Sequence, residues 1–386
     1  MDYLKRPRII PDNRAVMSRQ YSLATFFGKL GEVVADYCKF DMTKTMPVKV
    51  ECPDESQGLK ILYFIATFGT SPFVGGKLGA ELDTKAIVPA SHHADNLVYV
   101  MGSHTGYDHQ TKTLGRIYRE KEGGFSACCG KLAGVMGPYL KEYVYAKNSI
   151  KLFKDEGRVF LEIPNRLLGI HSSDEPYPAK LCLGPSLIKG DPESEGVMTA
   201  ENPRSVIFEI RPDLKHVLET KKRNITHDPT PIGDDLTGDY FKYLWITTAP
   251  FPDNITRRLH PLMHQIVSSL EFPPMVTIAN VHTWIEFNRF VDAIHSIPDV
   301  LSKGIFGVSG LTVDLYFEDR TYHYSNVYYP QYAFFKAPGQ KEGVVMGPSE
   351  INNLMDSYAP KQRLSIDQIL ECNDQADEEV NLGASP

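Results

Sequence analysis

The sequence is poor in cysteine and tryptophan, with six and two in 386 residues. So few thiols cannot staple a chain of this size, which excludes the small disulfide-built secreted classes. Excess charge of one sign is also missing. The formal net charge is −7, and the densest basic run is only Lys221, Lys222 and Arg223. That is too short for a nucleic-acid footprint, so no nucleic acid is expected as a partner. No apolar run approaches the roughly 18 residues needed to cross a bilayer, so no membrane span is expected. The opening MDYLKRPRII lacks the apolar core of a secretory signal. These absences predict a soluble, intracellular protein, cytoplasmic or organellar. There is no GxxxxGK[ST] loop, no CxxC pair and no HExxH helix.

What remains is ordinary globular material, 42% hydrophobic and 23% charged. Leu23, Phe26, Phe27, Leu30, Val33, Val34 and Tyr37 recur with helical spacing, and Cys38 extends that apolar face. Val48 and Val50 alternate with charged residues, predicting a short strand that ends at Cys52. Leu59, Leu62, Tyr63 and Ala66 return to helical spacing. CPDES is then a strand-to-helix turn, with Asp54 or Ser56 as cap. The glycines of FGTSPFVGGKLGAEL mark tight turns and close backbone approach. Leu97 to Met101 reads as a strand broken at Gly102, so His104 lies just past a carboxyl end. A helix follows, capped by Ser126, with Cys128 and Cys129 in its first turn. Leu132, Val135, Met136, Tyr139 and Leu140 form its buried face.

Beyond residue 150, RVFLEI, SVIFEI, YLWITTA, MVTIANV, LTVDLYF and NVYYPQYAFF read as strands. TRRLHPLMHQIVSSL and WIEFNRFVDAIHSI read as helices. The predicted fold class is α/β, a central mixed sheet with parallel core strands and flanking helices, plus an additional α+β C-terminal region. The expected division is a metal-binding unit over 1–150, an α+β region over 151–370 that packs on it or completes a dimer, and a disordered acidic tail over 371–386.

Cys52, His104 and the pair Cys128/Cys129 each follow a strand or open a helix. Two thiolates and an imidazole suit Zn²⁺, which with three protein ligands keeps a fourth position open. A helix N-terminus favours the thiolate form. The plainer alternative is buried thiols beside a hydrogen-bonded core histidine. Spacing does not separate Cys128 from Cys129. His92 and His93 are alternatives to His104, with a supporting or structural role favoured for them. An exposed position is expected for His109, and ordinary surface or core positions for His227 and His264.

CPDE, GGKLGAEL, HHADNLVYVMGSHTGYD, GRIYRE and SACCGKL, in that order, resemble the algal limiting-CO2-inducible B/C protein family, of the wider β-carbonic anhydrase type. The resemblance spans roughly residues 45–145. It implies a β-carbonic anhydrase-like fold, a homodimer, and Zn²⁺ held by Cys52, His104 and Cys129. It also implies catalytic roles for Asp54 and for Arg119, its arginine partner, with Arg116 as fallback. Two departures stand out: Ser56 occupies the place of the arginine usual in β-type enzymes, and the short His-x-x-Cys is missing. The implied activity is reversible hydration of CO2 to bicarbonate by a zinc-bound hydroxide, the metal lowering the pKa of bound water to ~7. Asp54 would orient that hydroxide while Arg119 holds Asp54 off the metal. Phe73, Val74, Tyr107 and Phe125 are candidates for the substrate pocket, and Ser103 or the amides after Gly102 for bicarbonate oxygens. Two alternatives stand beside this: a non-catalytic zinc-stabilised scaffold or bicarbonate-responsive partner of the same fold, and a thiol enzyme using Cys129.

Overall fold

A computed structural model describes residues 12–168, 180–183, 197–198, 204–221, 223–244, 251, 253–269, 271–318 and 323–361. The tail expected over 371–386, Cys372 and the end of YLWITTA lie outside them. The chain forms two compact units, residues 1–133 with 270–386, and residues 134–269.

In the first unit, α1 (Leu23–Glu32) starts at Ser22, whose side chain accepts the Thr25 N–H, and continues as a π-helical turn over Val33–Tyr37. β1 (Thr45–Val50) leads through a short 3-10 turn into α2 (Lys60–Phe68). β2 (Asn96–Met101) and β3 (His104–Asp108) follow. β4 (Arg116–Arg119) and β5 (Gly124–Ala127) form an antiparallel hairpin before α3 (Gly130–Ser149). After the second unit come α4 (Pro274–Ser296), β6 (Gly304–Tyr316), β7 (Tyr324–Lys336) and α5 (Pro348–Asp356).

β1 pairs parallel with β2, β2 and β3 pair parallel with β6, and β7 runs antiparallel to β6. The near-continuous apolar run of β2 follows from burial on both faces. Leu97, Tyr99 and Met101 pack with Phe287, Phe290, Ala293 and Ile294 of α4. Val98 and Val100 pack with Phe26, Phe27 and Leu30 of α1 and Phe64 of α2, on the opposite face. Cys38 belongs to that second cluster, as its apolar register implied.

Three expectations are corrected. MVTIANV is not a strand but the opening of α4. Val276, Ile278, Ala279 and Val281 are all buried, so no polar stripe exposes the helical period. Ser126 does not cap α3, because it lies in β5 and the helix begins only at Gly130. The expected boundary near residue 150 falls inside neither break. The units divide within α3, and the C-terminal strands β6 and β7 complete the central sheet instead of forming an added region. On the side away from β1, the parallel neighbour of β2 is β6, which arrives by a distant crossover that nothing local in the sequence points to.

The second unit carries its own antiparallel sheet, in which Arg158–Pro164 pairs with Lys151–Asp155 and Ser205–Glu209. RVFLEI and SVIFEI are strands there, as expected. Among the described residues no helix is long and apolar enough to cross a membrane.

Candidate metal centre

The parallel strands β1 and β2 end at the same level, since Val50 pairs with Met101. Past this edge the chains diverge. Gly102 takes φ +152°, and a Cβ there would stand 1.8 Å from the Gly310 carbonyl oxygen. Only glycine permits the two backbones to approach so closely. The chain then re-enters the sheet with His104 opposite Thr312 of β6. His104 therefore opens a new strand instead of merely following an old one.

Cys52 lies two residues beyond β1. The glycine-rich loop folds back over it, and the Gly79 N–H donates to its sulfur at 3.3 Å. Cys128 and Cys129 join β5 to α3. The Cys128 N–H donates to the Gly115 carbonyl (3.0 Å), and its own carbonyl accepts from Gly106 (3.2 Å), tying the segment to β3. The ligand atoms of Cys52, His104 and Cys129 all come within 4.8 Å of one another, and all three residues are buried.

The imidazole is oriented. Its Nδ1 is 2.6 Å from Asp314 Oδ2 and 3.4 Å from Cys128 Sγ. Its Nε2 is buried with no hydrogen-bond partner among the described residues. Buried ring nitrogens are ordinarily satisfied, so this orphan beside two thiols fits a metal ligand. Asp314, Cys128 and His104 form a second close group. Its nitrogen-to-oxygen distance is that of a hydrogen bond, and the carboxylate is engaged elsewhere, so it reads as the support of the first group.

Charge in the centre is uneven. The hydrogen bond from the Cys52 thiol lowers Cys129 below the usual thiol range, against burial, with His104 and the Leu132 N–H assisting. The same hydrogen bond, with burial, holds Cys52 well above the usual thiol range. Burial opposes charge on His104, yet Cys128 and Asp314 outweigh it and raise its pKa well above 6.5. Burial pushes the Cys128 thiol up to about 12.

Arg119, from the end of β4, donates Nη1 to Asp54 Oδ1 (2.6 Å) and Nη2 to Oδ2 (3.0 Å). Asp54 caps the 3-10 turn by accepting the Ser56 N–H. Burial disfavours its charge, but Arg119, His104 and Ser56 together lower it to about 2. Arg116 is exposed and donates to the Phe125 carbonyl instead.

His92 and His93 are exposed and belong to neither close group of potential ligands, and His109 is half-buried against Tyr107 and Phe317. His227 is exposed and His264 half-buried. Ser103 is engaged with α4: its N–H donates to Thr283 Oγ1 at 3.1 Å, and its Oγ lies 2.9 Å from His282 Nδ1. Of the expected pocket residues, Tyr107 is buried, Phe73 and Phe125 are half-buried, and Val74 is exposed. Sequence reasoning missed Asp314. Its one signal was an acid in the middle of the otherwise apolar LTVDLYF. The buried pair Lys60–Glu51, with Lys60 Nζ also donating to Thr312 Oγ1, was missed too.

Fold and site define an α/β protein with a buried Cys–His–Cys centre at the carboxyl edge of its parallel strands. No known family model and no curated protein matches the sequence. Among solved structures, PtLCIB4, a homolog of the limiting CO2-inducible protein LCIB, is similar with a TM-score of 0.50 at 10% identity, covering 87% of this chain and 97% of that one. The limiting CO2-inducible protein LCIB aligns at a TM-score of 0.43 and 12% identity, over 86% of this chain and 95% of its own. The fold of PtLCIB4 is thus shared over a stretch much longer than residues 45–145.

Proposed function

We propose that this protein is a zinc-dependent lyase that interconverts CO2 and bicarbonate, with Cys52, His104 and Cys129 as metal ligands. The orphaned, buried Nε2 of His104 facing two thiols carries this reading. It is supported by a fold shared with a homolog of a protein described as limiting-CO2-inducible. A zinc ion bound there would supply Lewis-acid activation of water at neutral pH. The chain's own residues provide the rest. Asp54, ionised at any physiological pH, accepts a hydrogen bond from the attacking water and orients its lone pair. Arg119 grips both carboxylate oxygens and keeps Asp54 from swinging onto the metal. The Gly79 N–H, 3.3 Å from the Cys52 sulfur, would steady it as the thiolate that a bound metal requires. The homodimer and the β-carbonic anhydrase character implied by the resemblance belong to the same reading.

Metal analysis and stopped-flow CO2 hydration test it. One equivalent of zinc per chain is expected, with activity lost in Cys52→Ala and Asp54→Ala. Zinc without hydration in the intact protein would favour the scaffold reading instead. No metal at all would end both.

A further inference from the structure

The buried carboxylate of Asp314 (0% exposed) collects more polar contacts than any metal ligand in the centre. Oδ1 accepts from Gln57 Nε2 and from Asn326 Nδ2, the latter at 2.7 Å. Oδ2 lies 2.6 Å from Ser56 Oγ, 2.6 Å from His104 Nδ1 and 3.2 Å from Cys128 Sγ. Asn326 cannot turn its amide round without cost, because the same Nδ2 also donates to the Ser56 carbonyl at 3.0 Å. Oδ1 is therefore committed to amide donors, and Oδ2 faces the imidazole as an acceptor. An acceptor there keeps the proton on Nδ1 and the lone pair on Nε2.

Ser56 extends the connection. Its hydroxyl also lies 2.8 Å from Asp54 Oδ1. Its single proton is shared between two acceptors, so this one side chain links the carboxylate that orients the histidine with the one gripped by Arg119.

We propose that Asp314 is the positioning residue of the centre: it fixes the His104 tautomer that presents Nε2 to the metal, and through Ser56 it sets the place of Asp54. The proposal rests on the metal-binding part of the function above and not on CO2 chemistry. It assigns Asp314 and Cys128 to support, so the centre holds one ion and not two.

Asp314→Asn is the decisive variant because the shape is kept. The new carbonyl oxygen must face the Gln57 and Asn326 donors, which turns the new NH2 towards Ser56 and His104. Nδ1 then becomes an acceptor, and the proton moves to Nε2. Cobalt(II) affinity, read by thiolate-to-metal absorption with a competing chelator, should fall ~10–100-fold. In the metal-free protein, at a pH high enough to leave the ring neutral, ¹⁵N NMR of labelled histidine, with His104→Ala for assignment, should show the ring tautomer reversed. A structural defect alone would not produce that reversal. Asp314→Glu, which keeps an acceptor, should retain the wild-type tautomer and recover part of the affinity. Undiminished cobalt affinity and an unchanged tautomer in Asp314→Asn would overturn the proposal while leaving the metal centre intact. Two equivalents of cobalt per wild-type chain would also overturn it, by making Asp314 a ligand. A wild-type chain that binds no cobalt would remove the metal centre and this proposal together.

Discussion

Replacing Arg119 by Met should weaken the first unit by ~2–3 kcal/mol at neutral pH. Arg119 is 8% exposed and makes two short hydrogen bonds to one carboxylate. Removing one partner of a fully buried pair costs roughly 3–5 kcal/mol, chiefly because the remaining charge is stranded. The Asp54 side chain keeps 17% of its exposure, and Ser56 still donates to it, so the cost falls below that range. The measurement is urea unfolding of the chelator-treated protein followed by tryptophan fluorescence. Trp245→Phe leaves Trp284 of α4 as the only tryptophan, which restricts the signal to the first unit. The effect should depend on pH in a definite direction. Asp54 titrates at about 2 when folded and near ~3.9 when unfolded. Its contribution is complete above ~3.9 and is lost as pH falls towards about 2, so wild type and variant should converge in acid. A difference under ~0.5 kcal/mol at neutral pH would refute the reasoning. So would a gap that widens as pH falls.

Chelation should lower the melting temperature of the wild type, since a ligand bound only by the folded state stabilises it. Cys52→Ala, His104→Ala and Cys129→Ala should be insensitive to chelator, whereas Cys128→Ala should still respond. Gly76→Ala would place a Cβ 2.6 Å from both the N and O of Glu51, so the glycine-rich loop must move off β1. Weaker metal binding and a loss of ~1–3 kcal/mol in the same urea assay are expected. Lys336 is fully buried, and its ammonium donates to the carbonyls of Leu301, Lys303 and Gln340. Lys336→Met should cost ~1–3 kcal/mol by leaving those carbonyls unpaired, and unfolding with little or no change would contradict that assignment.

Local pattern carried the reading where a segment's own residues held the signal. The α1 face was legible from one buried stripe, the β2 run from its continuous apolar residues, and β1 and the Asp54 turn from alternation followed by capping residues. Pairwise geometry around Cys52, His104, Cys129, Asp54 and Arg119 was reachable only by adding a family resemblance to that pattern. Pattern alone failed for the start of α4, where residues 276–283 are all buried and the helical period is erased, whereas WIEFNRFVDAIHSI further along the same helix kept its period and read as a helix. It failed again for Ser126, where a hairpin strand precedes the helix. Asp314 lay beyond reach for a different reason. It is 210 residues from His104, and register between parallel strands is set by a crossover that no short window contains.

The parallel pairing of β2 with β6 also dictates an order of events during synthesis. β6 emerges about 200 residues after β2, and among the described residues β3 has no other long neighbour on that side. Closing so large a loop is entropically slow, and its reward arrives only when the distant strand docks. A ribosome-bound chain stalled before residue 304 therefore holds its ligands on an unfinished sheet edge. On the reading proposed above, the capacity to gather a metal would appear only once β6 has been made and has docked beside β2 and β3.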